Sequence, residues 1–124
     1  MHEPDQPLLD EATLAELAVS VGGDIAFVRE LIEAYLGDAP QQIEQIRRAA
    51  DAGDAASVVR PAHTLKSSSA TVGAQRLASR ARRLELASLV NELEGAREDL
   101  DGLDGEWQVT GAALREWTAK ATSR

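Results

Sequence analysis

Apolar residues recur at spacings of three and four along most of the chain, the period of helices that bury one face. Asp10 reads as the N-cap of a short helix to about Val19 that buries Leu14, Leu17 and Ala18. Val21-Gly22-Gly23-Asp24 reads as a stop followed by a new cap. Beyond it, Val28, Leu31, Ile32, Tyr35, Ala39, Ile43, Ile46 and Ala50 form one stripe, which predicts a long helix from about Ile25 to Ala52. Pro40 lies inside that stripe and is expected to kink or loosen the helix rather than end it. Gly53-Asp54 repeats the stop-and-cap signal. A third helix follows over about Ala55 to Thr71, with Val58, Ala62, Leu65, Ser69 and Val72 inward and Gly73 as its C-cap. A fourth, about Ala74 to Leu89, turns Leu77, Ala81 and Leu84 inward. The last stripe is Leu93, Ala96, Leu100, Leu103, Trp107, Thr110, Leu114 and Trp117, and it predicts one further helix over these 25 residues. Gly95, Gly102, Gly105 and Gly111 each cost that helix about 1 kcal/mol relative to Ala. Packing along the stripe is expected to override them, with local fraying.

No segment alternates with period two, so no strand is predicted. Short loops between amphipathic helices make neighbours antiparallel, which gives an all-α, up-and-down bundle. Residues 1–9, with Pro4 and Pro7, read as a tail, and 10–122 as the single domain.

Composition narrows the chemistry. The 124 residues contain no Cys, which removes disulfides, Cys-ligated zinc, iron–sulfur clusters and thiol catalysis together. No run approaches the length of a membrane span. Met1-His2-Glu3-Pro4-Asp5 lacks the apolar core of a signal peptide, and the cytoplasm is the expected compartment. A net charge of −8 argues against nucleic acid and anionic membrane as partners. The charge is unevenly spread. Residues 55–84 hold no Asp or Glu but carry Arg60, Lys66, Arg76, Arg80, Arg82 and Arg83, a local +6 that leaves −14 to the rest. That stretch is either a solvated basic face or a positive field awaiting an anionic group or an acidic partner.

His63 lies inside it. On a wheel of about 100° per residue, His63, Lys66, Ser67 and Ala70 cluster away from the inward stripe, so the imidazole is expected at the solvent edge of the bundle. A solvent-exposed imidazole is in good part uncharged at neutral pH and is then a competent nucleophile. Lys66 at i+3 cannot strengthen it as a base, but can neutralise a phosphoryl group placed on the ring. The other histidine, His2, sits in the tail, so no metal-ligand set converges. There is no GxxxxGK loop for ATP, and no Ser-His-Asp set can be defended from spacing.

The stretch Ala62-His63-Thr64-Leu65-Lys66-Ser67-Ser68-Ser69-Ala70-Thr71-Val72-Gly73-Ala74 resembles the signature of histidine-containing phosphotransfer (HPt) domains, approximately A-H-x-L-K-G-S-(S/A)-x-x-(hydrophobic)-G. Gly22-Gly23-Asp24, Phe27 to Leu36, Ala39-Pro40 and Ala50 to Asp54 follow the family's upstream pattern. Leu77-Ala78 and Leu84-Glu85 follow its downstream pattern, so about residues 10–117 are covered.

The resemblance implies a four-helix bundle with an additional short N-terminal helix. It implies that His63 accepts a phosphoryl group on Nε2 from a phospho-aspartyl receiver domain and passes it to another receiver, or back. Lys66 would neutralise the phosphoryl group. Glu85 stands where the family often has a polar residue, frequently Gln, and would orient the imidazole. Val59, Arg60, Ser67 and Ala70 would dock the receiver, with Ser67 in the place of the family's usual Gly. Pro61 deletes the hydrogen bond to the Ser57 carbonyl just before His63. The protein would be a phosphocarrier rather than an enzyme, monomeric, with no cofactor of its own and with magnesium on the receiver of a hybrid histidine kinase or response regulator. Two alternatives stay open at this point. One is an HPt-like adaptor that binds receivers without transfer. The other is a bundle that binds RNA or an acidic protein through Arg76, Arg80, Arg82 and Arg83.

Overall fold

The structure, a computed structural model, describes residues 7–122. Its helices are α1 (Glu11–Ser20), α2 (Ile25–Asp51), α3 (Ala56–Thr71), α4 (Gln75–Leu89), α5 (Arg97–Asp101) and α6 (Leu103–Thr122), with a 3-10 turn over Leu93–Ala96. No strand occurs among the described residues. Helices α2, α3, α4 and α6 form the up-and-down bundle. α3 packs between α2 and α4, α6 closes against α2 and α4, and α1 lies on α2.

Local chemistry sets the helix starts. The Asp10 carboxylate accepts from the Ala12 and Thr13 N–H groups at 3.1 and 3.4 Å. Asp24 accepts from Phe27 N–H at 3.1 Å, and Asp54 from Ser57 N–H at 3.2 Å. The bonds to Asp10 and Asp24 satisfy amides that the first helical turn leaves without a partner. Ser57 N–H also donates to the Asp54 carbonyl at 3.2 Å, and α3 is capped by Ala55 with no side-chain bond, in place of the expected Asp54 cap. The inward stripes meet in one core, in which Ile32, Val58, Leu65, Leu77, Leu84 and Leu114 are fully buried. Ser69 is buried too, because its hydroxyl shares a 2.6 Å hydrogen bond with Tyr35 Oη. Burial pushes the Tyr35 phenol pKa up, so this bond is between neutral groups. α2 continues without interruption past Pro40, and α3 past a buried Pro61. Most of the expected N-terminal tail lies outside the described residues, and Leu9, at its end, packs against the core.

The last stripe departs from expectation. It predicts one helix from Leu93 but forms a 3-10 turn, the five-residue α5 and then α6. The physical cause comes from α4. Arg80 reaches across and donates to the carbonyls of Glu98 and Asp99, both at 3.2 Å. Its guanidinium occupies the space where a Cβ at position 102 would stand, so a side chain there would have to displace Arg80 from these carbonyls. The pieces keep a common inward face, which is why the periodicity runs on through the break.

Gly73 ties α1 to the α3–α4 turn. Its φ is +75°, its carbonyl accepts from Asp10 N–H at 2.7 Å, and a Cβ there would stand 2.8 Å from the Asp10 carbonyl oxygen. Gly73→Ala is expected to cost about 2 kcal/mol or more, from left-handed backbone strain plus that clash. Urea denaturation checks this, against Gly37→Ala, where no atom approaches the added methyl and φ is not positive.

Candidate functional site

The centre of the site is carried by two helices. α3 turns Val58, Ala62, Leu65 and Ser69 into the core, which leaves His63 on the outer flank. Its side chain is 58% exposed. Glu85 on α4 follows the buried Leu84 and faces α3 from the edge of the interface. One Glu85 oxygen lies 2.8 Å from His63 Nδ1, and the other 2.7 Å from the Lys66 ammonium. The Glu85 side chain is only 12% exposed, so it is not the solvated acid that an outward helical position would make it.

This contact fixes the histidine's protonation pattern. A carboxylate only accepts, so the neutral imidazole carries its proton on Nδ1 and its lone pair on Nε2. Glu85 is ionised to do this. The hydrogen bond from Lys66 chiefly, helped by the one from His63, holds its carboxyl below the usual glutamate range against the opposing effect of desolvation. A pKa lowered by folding means the α3–α4 link is complete at neutral pH. It is lost only as pH falls through a value below that of an ordinary glutamate.

Of the residues that the sequence singles out around His63, Arg60, Ser67 and Ala70 are exposed, and Val59 is half-buried. They lie on the flank of α3 that carries His63. The hydroxyls of Ser68 and Thr71 donate to the backbone carbonyls one turn earlier on α3, and Ser69 is held by Tyr35. Lys66 is half-buried and turned to Glu85 rather than standing free beside the ring.

The basic stretch is less open than its count suggests. Arg76, Arg80 and Arg83 are joined to Glu106 and Asp99, acids of α5 and α6. With Lys66 on Glu85, most of the +6 is matched within the fold. Arg60 and Arg82 are exposed, and no ion pair joins either to another described residue. The positive field expected over residues 55–84 therefore narrows to these two arginines. Sequence reading also passed over the outward apolar residues of α4 and its C-cap Val90. Leu86, Leu89 and Val90 are 48%, 60% and 63% exposed, and Leu86 directly follows Glu85. The signal was present, since all three fall off the Leu77–Ala81–Leu84 stripe.

No group of three or more His, Asp or Glu side chains able to hold a metal occurs among the described residues. No helix among them is long and apolar enough to cross a membrane.

Comparison with known proteins adds to this geometry. The family model described as "Hpt domain" matches residues 30–117. The phosphorelay protein LuxU of Vibrio harveyi is 26% identical over 111 residues, covering 90% of this chain and 96% of that protein. Among solved structures, histidine-containing phosphotransfer protein B from Pseudomonas aeruginosa PAO1 superposes with a TM-score of 0.81. It is 24% identical, with 92% of this chain and 96% of that one covered, which establishes likeness of fold.

Proposed function

The chain belongs to the Hpt domain family of two-component phosphorelays, and from that premise we propose that His63 is its phosphoryl carrier. It takes the group from a phospho-aspartyl receiver domain and delivers it to another. The observation that carries this reading is the exposed imidazole whose Nδ1 is held 2.8 Å from the Glu85 carboxylate. That contact leaves the Nε2 lone pair directed away from the acid and available for attack.

In the forward step, Nε2 bonds the phosphorus as the bond from phosphorus to the aspartyl oxygen breaks, and the aspartate leaves as a carboxylate. The receiver contributes the aspartate and the magnesium ion that shields the transferring oxygens. This chain contributes the nucleophile, its orientation and a nearby ammonium. It thus acts as a carrier without a cofactor of its own.

Docking falls to the surface around the ring. Val59, Arg60, Ser67 and Ala70 of α3 supply a low rim, and Leu86 and Leu89 of α4 supply apolar area. Arg60 and Arg82 provide the positive charge that suits a carboxylate-rich receiver face. Profiling transfer from a panel of phosphorylated receivers tests the reading: the group should move to this chain and be chased onto a second, unphosphorylated receiver. Binding of receivers with no transfer would replace it with the adaptor reading.

Ser67→Trp gives the surface its own check. A bulky ring one turn from His63 should hold the receiver off and weaken binding about tenfold or more, a loss of ~1.4 kcal/mol. Stability to urea should stay within about 0.5 kcal/mol, since the residue is exposed. Titration calorimetry against a cognate receiver measures the first, and unchanged affinity would remove Ser67 from the interface.

A further inference from the structure

The Glu85 carboxylate has both oxygens engaged, one by His63 Nδ1 and the other by the Lys66 ammonium. Both contacts bear on what happens after a phosphoryl group arrives. We propose that Glu85 is a positioning residue that makes phosphorylated His63 a ready donor instead of a stable store. The inference rests on the reading of His63 as the phosphoryl carrier and goes one step beyond it.

The first effect is on the leaving group. The form that attacks is the neutral tautomer with its proton on Nδ1. Attack through Nε2 spends the ring's free lone pair and leaves that proton where it was, so the phosphorylated ring is cationic. A carboxylate 2.8 Å away favours that cation and retains the Nδ1 proton. When an aspartate oxygen of the next receiver attacks the phosphorus, the P–N bond breaks. Its electron pair returns to Nε2, and the imidazole departs neutral. A ring that had lost its Nδ1 proton would have to leave as an anion, which is far less favourable. The neutral amide of a Gln could accept from Nδ1–H, but it stabilises a cation much less than a carboxylate does.

The second effect has the same sign. Lys66 and Glu85 cancel each other's charge, so this pair itself brings no net positive charge to an arriving phosphoryl group. The other charged groups around the ring are Arg60, one turn earlier on α3, and Arg82, one turn before Glu85 on α4. Both are exposed to solvent. The ammonium is tethered to Glu85, and the phosphoryl group is held loosely.

The test uses phosphoramidate, which labels histidine without any receiver. Nε2 bonds the phosphorus while the P–N bond of phosphoramidate, already protonated on nitrogen, breaks and ammonia leaves. Label absent from His63→Gln is assigned to His63. Glu85→Gln should extend the lifetime of the phosphohistidine about tenfold, and shift the partition of phosphate with a receiver toward this chain by a similar factor. The pH profile separates this from a merely structural role. Wild-type phosphohistidine should stay labile well above neutral pH, whereas in Glu85→Gln it should become stable as pH rises. A second variant, Lys66→Ala, completes a double-mutant cycle. Glu85→Gln should lengthen the lifetime less in the Lys66→Ala background than in the wild type, because the ammonium it would release is gone.

Equal or shorter lifetime in Glu85→Gln, with the same pH profile as wild type, would overturn the inference and leave Glu85 with orientation alone. That outcome would not touch the carrier reading, which stands or falls on receiver transfer to His63. If His63 takes no phosphate from phosphoramidate, no phosphohistidine forms for Glu85 to act on and the inference is overturned, whereas the carrier reading is still decided by receiver transfer.

Discussion

His63→Gln is expected to abolish acid-labile, base-stable phosphate on the chain while leaving a folded bundle. The argument for lost chemistry is simple. An amide nitrogen has its lone pair delocalised into the carbonyl and does not attack phosphorus. No other nucleophile on the exposed flank of α3 can replace it: Lys66 is engaged in an ion pair with Glu85, and a serine hydroxyl would form an acid-stable ester instead. The argument for a kept fold is burial. The imidazole is 58% exposed, and its 2.8 Å contact with Glu85 lies at the edge of the α3–α4 interface rather than in the core. Glutamine can still donate to that carboxylate, so the stability cost should stay under about 1 kcal/mol. Radiolabelled phospho-receiver, followed by acid and base treatment of the denatured product, in which Glu85 no longer faces the ring, measures the first outcome, and a urea melt measures the second. Persistent acid-labile label on His63→Gln would move the phosphoryl site elsewhere in the chain.

Helix periodicity is a local property, and what depended on it alone was legible. The stripes of α2, α3 and α4 and the caps at Asp10 and Asp24 follow from neighbours within a few residues. The outward placement of His63 follows in the same way, from the four inward residues on its own helix. What was not legible depended on a second helix. Nothing in the spacing around Lys66 reveals that its ammonium is turned to Glu85, nineteen positions on, because that needs the rotation of α4 against α3. The break before α6 has the same origin: Gly102 only becomes a junction once Arg80 arrives from α4. The basic stretch misled for a related reason. A count of charges ignores that Arg76, Arg80 and Arg83 lie four and three apart on one face of α4. Their partners, Asp99 and Glu106, lie seven apart on the chain that returns past it. That matched spacing was present in the sequence and is the signal that could have reassigned these residues from partner binding to bundle closure.

Arg80→Ala is therefore expected to be the most damaging substitution among the six cations of that stretch, with Arg82→Ala close to neutral. Arg80 is only 18% exposed. Its guanidinium donates to the Glu98 and Asp99 carbonyls at 3.2 Å and pairs with Asp99 and Glu106 at 3.5 and 3.3 Å. Those carboxylates are themselves only 15% and 11% exposed. Alanine removes the donors together and takes a partner from two carbonyls and a glutamate at the α5–α6 junction, although the Glu98 carbonyl keeps Gly102 N–H at 3.0 Å and Glu106 keeps Arg76 at 4.0 Å. Asp99 keeps Arg83, which limits the damage on that side. Breaking a half-buried ion pair of this kind costs about 2–3 kcal/mol, mainly as the penalty on the groups left behind. Arg80→Lys should recover only part of this, because a single ammonium cannot span two carbonyls and two carboxylates as a planar fork does. Arg82 is exposed, with no ion pair to another described residue, so its removal should stay within about 0.5 kcal/mol. Removing one positive charge is common to both variants, so the difference between their urea midpoints isolates the contribution of position. Phosphoryl transfer measured on the folded fraction should be unchanged in Arg80→Ala, since α3 and Glu85 lie outside the Arg80 contacts. An Arg80→Ala variant as stable as Arg82→Ala would return these arginines to the solvated face that their bare count suggests.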